Sequence, residues 1–255
     1  MMKLYAFSCG RIRCRKNVFV PDVPKDVFID APMPVYLITH PEGNVLFDTG
    51  PHPEVFEDTA RWGGLAKAFA PIGDETSGVV DQLKKVRMTP NDIRYVVNSH
   101  LHFDHCGGNG FFNKSTFLVS KKDLECASSS EFEGKGYFRA DWDHHALIYQ
   151  EIEGELDIYG DNSLKIIPMP GHTLGHQILL VRLKEKGAVI LSGDSVPCSD
   201  NYVHGLISRN NMDNDQAARS IHRLHELVDR EKAWLIHGHD PDQWKTVKEA
   251  PEYYE

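Results

Sequence analysis

Long apolar runs are missing from this chain, and with them any transmembrane helix: no stretch approaches the roughly 20 consecutive apolar residues that a bilayer demands. The opening Met1-Met2-Lys3-Leu4-Tyr5-Ala6-Phe7 is too short an apolar stretch for a secretory signal, so the expected location is the cytoplasm. Cysteine is scarce. Cys9, Cys14, Cys106, Cys126 and Cys198 are odd in number and lack the spacing of a disulfide framework, which suits reduced thiols. Cys9 and Cys14 have no second nearby pair with which to complete a zinc site, and they read as packing residues, as does Cys106. Positive charge is also short: 28 Lys and Arg against 37 Asp and Glu leave a formal net charge of −9, which argues against a broad nucleic-acid-binding face. The locally basic Lys3, Arg11, Arg13, Arg15 and Lys16 read as solvated surface. No internal repeat or low-complexity linker divides the chain, so residues 1–255 are expected to form one domain with a substantial core. No serine sits in a turn and charge-relay context suited to a nucleophile.

Histidine, by contrast, is plentiful, and its placement carries chemistry. His100-Leu101-His102-Phe103-Asp104-His105 is followed at once by Cys106-Gly107-Gly108. In extended or looped backbone, side chains at i and i+2 project to the same side, so His100 and His102 can grip one ion while Asp104 and His105 fall to a second. Imidazole with carboxylate fits a divalent transition metal better than calcium or magnesium. The context agrees, because Ile93-Arg94-Tyr95-Val96-Val97-Asn98-Ser99 reads as a β-branched strand delivering His100, and Gly107-Gly108-Asn109-Gly110 permits a tight turn beside it.

Further candidates also follow strand-like runs. His172 comes after Leu164-Lys165-Ile166-Ile167-Pro168-Met169-Pro170-Gly171 and reads as a ligand, with His176 as an outer partner or an ordinary hydrogen-bonded residue. The apolar run Ala188-Val189-Ile190-Leu191-Ser192-Gly193 ends on Asp194, where a carboxylate is costly unless paired or bound to metal, and where it could bridge two ions. Ala233-Trp234-Leu235-Ile236 leads to His237-Gly238-His239-Asp240.

The motif at 100–105, Pro170-Gly171-His172-Thr173, Gly193-Asp194 and Gly238-His239-Asp240, with Val45-Leu46-Phe47-Asp48-Thr49-Gly50 before them, resemble the metallo-β-lactamase superfamily in identity and order. His100 through Gly110, Gly171 to Gln177 and the late Gly-His-Asp look more closely like the N-acyl homoserine lactonases of quorum quenching, over roughly residues 33 to 255. The resemblance implies an α/β fold, the αββα metallo-β-lactamase-like sandwich. It implies that His100, His102 and His172 hold one metal, that Asp104, His105 and His239 hold another, and that Asp194 bridges them. Zinc is the default, with iron, manganese or cobalt as alternatives. It further implies that Asp104 shuttles a proton to the leaving alkoxide and that Asp48 supports the ligand loop. One departure stands out. Such lactonases commonly carry a tyrosine three residues after the bridging aspartate, and this chain has Pro197 there, with Tyr202 as the nearby substitute donor for the substrate carbonyl.

The rest of the pattern is that of a mixed α/β protein. Val35–Thr39 and Asn44–Asp48 flank a turn at Pro41-Glu42-Gly43 as one hairpin, and Gln177–Leu183 with Ala188–Leu191 make another. Val79, Leu83 and Val86 mark the face of one helix, and Ala218, Ile221, Leu224 and Val228 that of a second over Asp215–Arg230, where His222 and His225 read as ordinary helix residues. Pro21–Pro34 reads as an irregular approach to the first hairpin, able to form a pocket wall. Gly134–His145 reads as either a lid or a packed surface excursion, with His144 and His145 as candidate pocket residues. The expected reaction is opening of a small lactone, an N-acyl homoserine lactone first, by a hydroxide held between two metals. A sister hydrolase acting on a thioester, phosphoester or β-lactam is the main alternative. A metal oxidoreductase or a small-molecule-binding protein of the same fold ranks below it.

Overall fold

The computed structural model describes residues 1–255, arranged as two β-sheets packed face to face with helices on both outer surfaces. Strand β1 (Lys3–Arg15) pairs antiparallel with β2 (Phe28–Thr39), which turns into β3 (Asn44–Phe47) in the expected hairpin, Tyr36 opposite Phe47 and Ile38 opposite Val45. The turn requires glycine: Gly43 has a φ of +130°, and a Cβ there would meet the Arg94 side chain at 2.5 Å. Then come β4 (Ala70–Ile72), α1 (Val79–Lys84), β5 (Ile93–Val97), β6 (Thr116–Ser120), α2 (Lys121–Ser128), α3 (Arg139–Trp142) and β7 (Ile148–Ile152). These complete a seven-stranded sheet in the order β4-β1-β2-β3-β5-β6-β7, parallel from β3 to β7. The second half supplies β8 (Leu156–Asp157), β9 (Leu164–Pro168), β10 (Gln177–Leu183), β11 (Gly187–Leu191), α4 (Ser199–His204), α5 (Asn214–Glu231), β12 (Trp234–Ile236) and α6 (Pro241–Trp244). Its sheet runs β12-β11-β10-β9-β8, and β10 with β11 is the second expected hairpin.

Strand alternation sorts the apolar residues into layers. Tyr36, Ile38, Phe47, Val97 and Leu118 meet Ile166, Leu179, Val181, Leu191 and Ile236 between the sheets. The opposite faces of the same strands, Val35, Leu37, Leu46 and Val96 among them, pack outward on Val79 and Leu83 of α1 and Ala127 of α2. On the far side Ile178, Leu180 and Ile190 pack on Ile221, Leu224 and Leu227 of α5. Burial on both faces explains why these strands read as continuous apolar runs. The result is the αββα sandwich. No helix is long and apolar enough to cross a membrane.

Two local expectations need correcting. The buried face of α5 is Ala217, Ser220, Ile221, Leu224 and Leu227, with Ala218 exposed, so the stripe begins one residue earlier than its apolar spacing suggested. Pro21–Pro34 is irregular only in its first part, since β2 begins at Phe28 and runs through Pro32 and Pro34. Prolines are tolerated there because β3 pairs only with Tyr36–Ile38, leaving that side of the strand without a ladder to feed, and because β1 carries an irregularity between Ser8 and Arg11 opposite them.

The topology brings five strand ends to one edge. Asp48 follows β3, His100 follows β5, His172 follows β9, Asp194 follows β11 and His239 follows β12.

Candidate metal centre

At that edge His100, His102 and His172 bring ligand atoms within 4.8 Å of one another, as do His100, His105 and Asp194, and Asp104, His105 and His239. His102 Nδ1 lies 3.0 Å from His172 Nε2, and His105 Nε2 lies 3.4 Å from His239 Nε2. Ligands set tetrahedrally at about 2.0–2.1 Å from a cation stand about 3.3–3.4 Å apart, close to these spacings. Asp194 joins the groups. Its Oδ2 is 3.2 Å from His172 Nε2, while its Oδ1 is 3.1 Å from His105 Nε2 and 2.9 Å from His239 Nε2. Asp104 Oδ2 faces His239 at 3.6 Å and His105 at 3.8 Å. One carboxylate therefore presents an oxygen to each of two nitrogen-rich groups.

The far sides of His100, His105 and His239 are held by the protein, which fixes what their near sides offer. Leu101, fully buried between His100 and His102, donates its N–H to Asp123 Oδ2 at 2.6 Å. His100 Nδ1 pairs with Ser99 Oγ at 2.9 Å, and His105 Nδ1 with Asp48 Oδ2 at 2.8 Å. Asp48 is itself fixed by the Ser99 N–H at 2.6 Å and the Ser99 hydroxyl at 2.8 Å. His239 Nδ1 donates to the Pro32 carbonyl at 2.8 Å, so the segment expected as a pocket wall supports a candidate ligand. His176 Nε2 accepts the Asp194 N–H at 3.0 Å and so acts one step outside the cluster. Gly136, at φ +116°, lies against His102, where a Cβ would come within 2.8 Å of the ring.

Electrostatics divide the cluster. Burial, helped by neighbouring imidazoles, drives His100 and His102 well below the usual histidine range, which keeps their lone pairs free. Burial also opposes charge on His105, but Asp104, Asp194 and Asp48 outweigh it and push that imidazole well up. For Asp194 burial is likewise overcome, here by His239, His105 and His172, which hold its carboxyl well down. This end of the cluster attracts positive charge. His100 Nε2 is buried with no hydrogen-bond partner, an arrangement that costs free energy unless the atom binds something. Orphaned imidazole nitrogen, paired carboxylates and metal-like spacing together fit divalent cations.

A cavity of about 300 Å³ opens from the cluster, bounded by His102, Asp104, His172, Asp194 and His239 at its base and by Ile12, Phe19, Leu65, Phe69, Phe103, Phe132 and Met212 on its walls. Lys135, Gly136 and Tyr137 also line it, so the Gly134–His145 segment is part of the pocket, whereas His144 and His145 are not among the lining residues. Tyr202 is not brought to the cluster. Its ring stacks on His225 at 3.9 Å, and the His225 Nε2–H donates to its backbone carbonyl at 2.9 Å. Pro197 stays behind the site, its carbonyl accepting the His239 N–H at 2.7 Å. Tyr202→Phe should therefore leave kcat/KM for the expected lactone opening within about twofold, because its ring packs on His225 and it does not line the cavity over the cluster. A tenfold fall in steady-state assays would reinstate Tyr202.

Asp123 is the residue that sequence reasoning passed over. It is fully buried, and burial pushes its carboxyl up to about 6 although Thr173, the Leu101 N–H and Tyr137 all support the charge. Tyr137 donates its hydroxyl to Asp123 Oδ1 at 3.0 Å, so one side chain ties the His100–His102 loop to the pocket wall. A signal was available, since Asp123 shares the stripe Asp123, Cys126 and Ala127 on the buried face of α2, where an acid is out of place without partners. Asp123→Ala strands two buried donors and should cost at least about 2 kcal/mol of stability. Metal affinity should fall at least about tenfold, as measured by chelator competition. Unaltered affinity would remove Asp123 from the support of the ligand loop.

Comparison with known proteins places these features in company. The metallo-β-lactamase superfamily matches residues 32–239. The N-acyl homoserine lactonase AttM of Rhizobium johnstonii is 36% identical over 99% of this chain and 98% of its own length. The N-acyl homoserine lactonase AiiA of Bacillus thuringiensis subsp. kurstaki is 30% identical over 98% of each chain. A solved N-acyl homoserine lactone hydrolase, with the product N-hexanoyl-L-homoserine at its catalytic metal centre, superposes with a TM-score of 0.91 at 30% identity, covering 99% of this chain and 98% of that one.

Proposed function

The chain belongs to the metallo-β-lactamase superfamily, and on that premise we propose that it is a two-metal hydrolase that opens the ring of N-acyl homoserine lactones or closely related small lactones. The observation that carries this reading is Asp194, whose two oxygens face His172 on one side and His105 with His239 on the other, at the base of a cavity with apolar walls. His100, His102 and His172 would hold one cation, and Asp104, His105 and His239 the other, with Asp194 shared between them. Zinc suits these nitrogen and carboxylate donors, with iron, manganese and cobalt as alternatives. When bound, such a pair supplies Lewis acidity at a carbonyl oxygen and a water acidic enough to serve as nucleophile near neutral pH.

The chain's own residues do the remainder. Asp104 lines the cavity beside His239 and His105, where its carboxyl can hold a proton and release it to the alkoxide freed as the ring carbon–oxygen bond breaks. Phe19, Phe69, Phe103 and Phe132 offer an apolar bed for an acyl chain and keep bulk water from it. Lactonase relatives aligned over nearly the whole chain support the same substrate class. The five cysteines, all buried and unpaired, are in keeping with a reducing, cytoplasmic setting.

Ring opening releases one acid per turnover, so a pH indicator follows it directly. The metal-loaded protein should act on N-hexanoyl homoserine lactone well above any activity on acyclic thioesters, phosphoesters or β-lactams. Strong cleavage of one of those three with no lactone opening would overturn the assignment.

A further inference from the structure

Phe103 stands between the candidate ligands His102 and Asp104 and is held from two sides. On one side the Trp62 ring meets it edge-on, centroids 4.6 Å apart, and the Phe69 ring lies at 6.0 Å. On the other the Phe138 ring packs edge-on at 6.2 Å, and the Gly136 carbonyl accepts the Phe103 N–H at 3.0 Å. Both sides also line the cavity, the first through Leu65 and Phe69, the second through Lys135, Gly136 and Tyr137. Neither is anchored by much core, since Trp62 is the one buried residue of Thr59–Lys67, and only Gly136 and Tyr137 are buried between Ser128 and Ala140. Arg61 joins the two sides. Its Nη2 donates to Asp141 Oδ1 of α3 at 2.6 Å and to the Ala140 carbonyl at 3.5 Å, while its Nη1 reaches back to Glu54 Oε2 at 3.2 Å. No other hydrogen bond links residues 53–69 to residues 132–143. The Asp141 side chain is 1% exposed, and its Oδ2 and the Arg61 Nε are buried without partners. Burial raises the Asp141 carboxyl even against Arg61. A buried pair so incompletely bonded adds little to stability, and what it supplies is a fixed geometry.

This inference rests on the lactonase reading and narrows it: we propose that the Arg61–Asp141 pair is the strut that sets the gap between the two sides of the acyl site, and through that gap the enzyme's hold on long acyl chains. The lactone ring reacts at the ligand cluster, and the acyl chain extends from it toward the apolar walls. The longer the chain, the more of its methylenes depend on those walls standing close. Two charged groups bonded end to end hold a distance that apolar contact alone leaves soft. Neither Arg61 nor Asp141 lines the cavity, so they act as positioning residues through the segments they join.

Chain length separates this role from a general support of the fold. A double variant, Arg61→Met with Asp141→Leu, removes both charges and leaves neither buried alone, which spares stability. Wild type and variant are assayed on N-butanoyl and N-decanoyl homoserine lactone. On the decanoyl substrate the variant's KM should rise about tenfold with kcat within about twofold, while on the butanoyl substrate both constants stay within about twofold and bound metal is unchanged. A loss on the shorter chain as large as on the longer, or no loss on the longer, would overturn the strut and leave the lactonase reading intact. So would a wild type that opens the butanoyl ring and not the decanoyl one. If wild type opens neither ring, the lactonase reading fails and the inference with it. Should the double variant not fold, Asp141→Asn, which keeps the shape of the side chain and removes its charge, is judged by the same comparison, with an expected rise in decanoyl KM of about threefold.

Discussion

Exhaustive chelation should abolish ring opening and leave a protein that recovers full rate at about two equivalents of divalent cation per chain, because Asp194 presents one oxygen to His172 and the other to His105 and His239, as the proposed pair of cations requires. The loss should also register in stability. With the cations removed, Asp104 remains buried with His239 and His105 no nearer than 3.6 and 3.8 Å, and His100 Nε2 and His172 Nδ1 remain buried with no partner. Ligand binding to the native state alone stabilises it by about 4 kcal/mol when the free metal stands at about 1,000 times its Kd. Melting temperature should therefore climb steeply up to about two equivalents of added zinc and only logarithmically with free zinc beyond them. Elemental analysis that finds one tightly held ion at most, even after reconstitution with excess metal, would sink the two-metal account.

The elements of this site divide by how far along the chain their causes lie. The gathering of His100, His102, Asp104 and His105 at one edge is legible because one short segment carries these candidate ligands, the strand that delivers them and the glycines that turn it. Their supports come from elsewhere. The Pro32 carbonyl that orients His239 is 207 residues away in sequence, and Asp123 reaches the Leu101 N–H from a different helix. No local pattern encodes such pairings, which exist only once both sheets have packed. Tyr202 shows the converse error, in which nearness in sequence suggests nearness in space. The chain turns into α4 at Ser199, whose N–H is taken by Asp240 Oδ2 at 2.8 Å, and the Tyr202 ring then packs on His225 of α5. The prolines of β2 and the phase of α5 were misread for a similar reason: which side of a strand or helix is covered depends on partners that periodicity does not name.

Asp104→Asn should lower kcat by about 100- to 10,000-fold, the range over which a positioned acid contributes, while the fold survives. Asn nearly preserves the shape of the side chain, and the buried setting of Asp104 is built by residues the substitution does not alter. What it removes is a negative charge beside His105 and His239 and a carboxyl able to carry a proton. These two losses separate by experiment. A defect in metal binding would appear as less than two bound ions per chain and would yield to excess zinc. A defect in proton delivery would persist in fully loaded protein and would depend on the leaving group, because an alkoxide needs a proton on departure and a thiolate needs it far less. The corresponding N-acyl homocysteine thiolactone should accordingly suffer much less from Asp104→Asn than the oxygen lactone does. Near-normal oxygen-lactone hydrolysis by the folded, metal-loaded variant would end the proton-shuttle role, and equal loss on both rings would reduce Asp104 to a metal ligand.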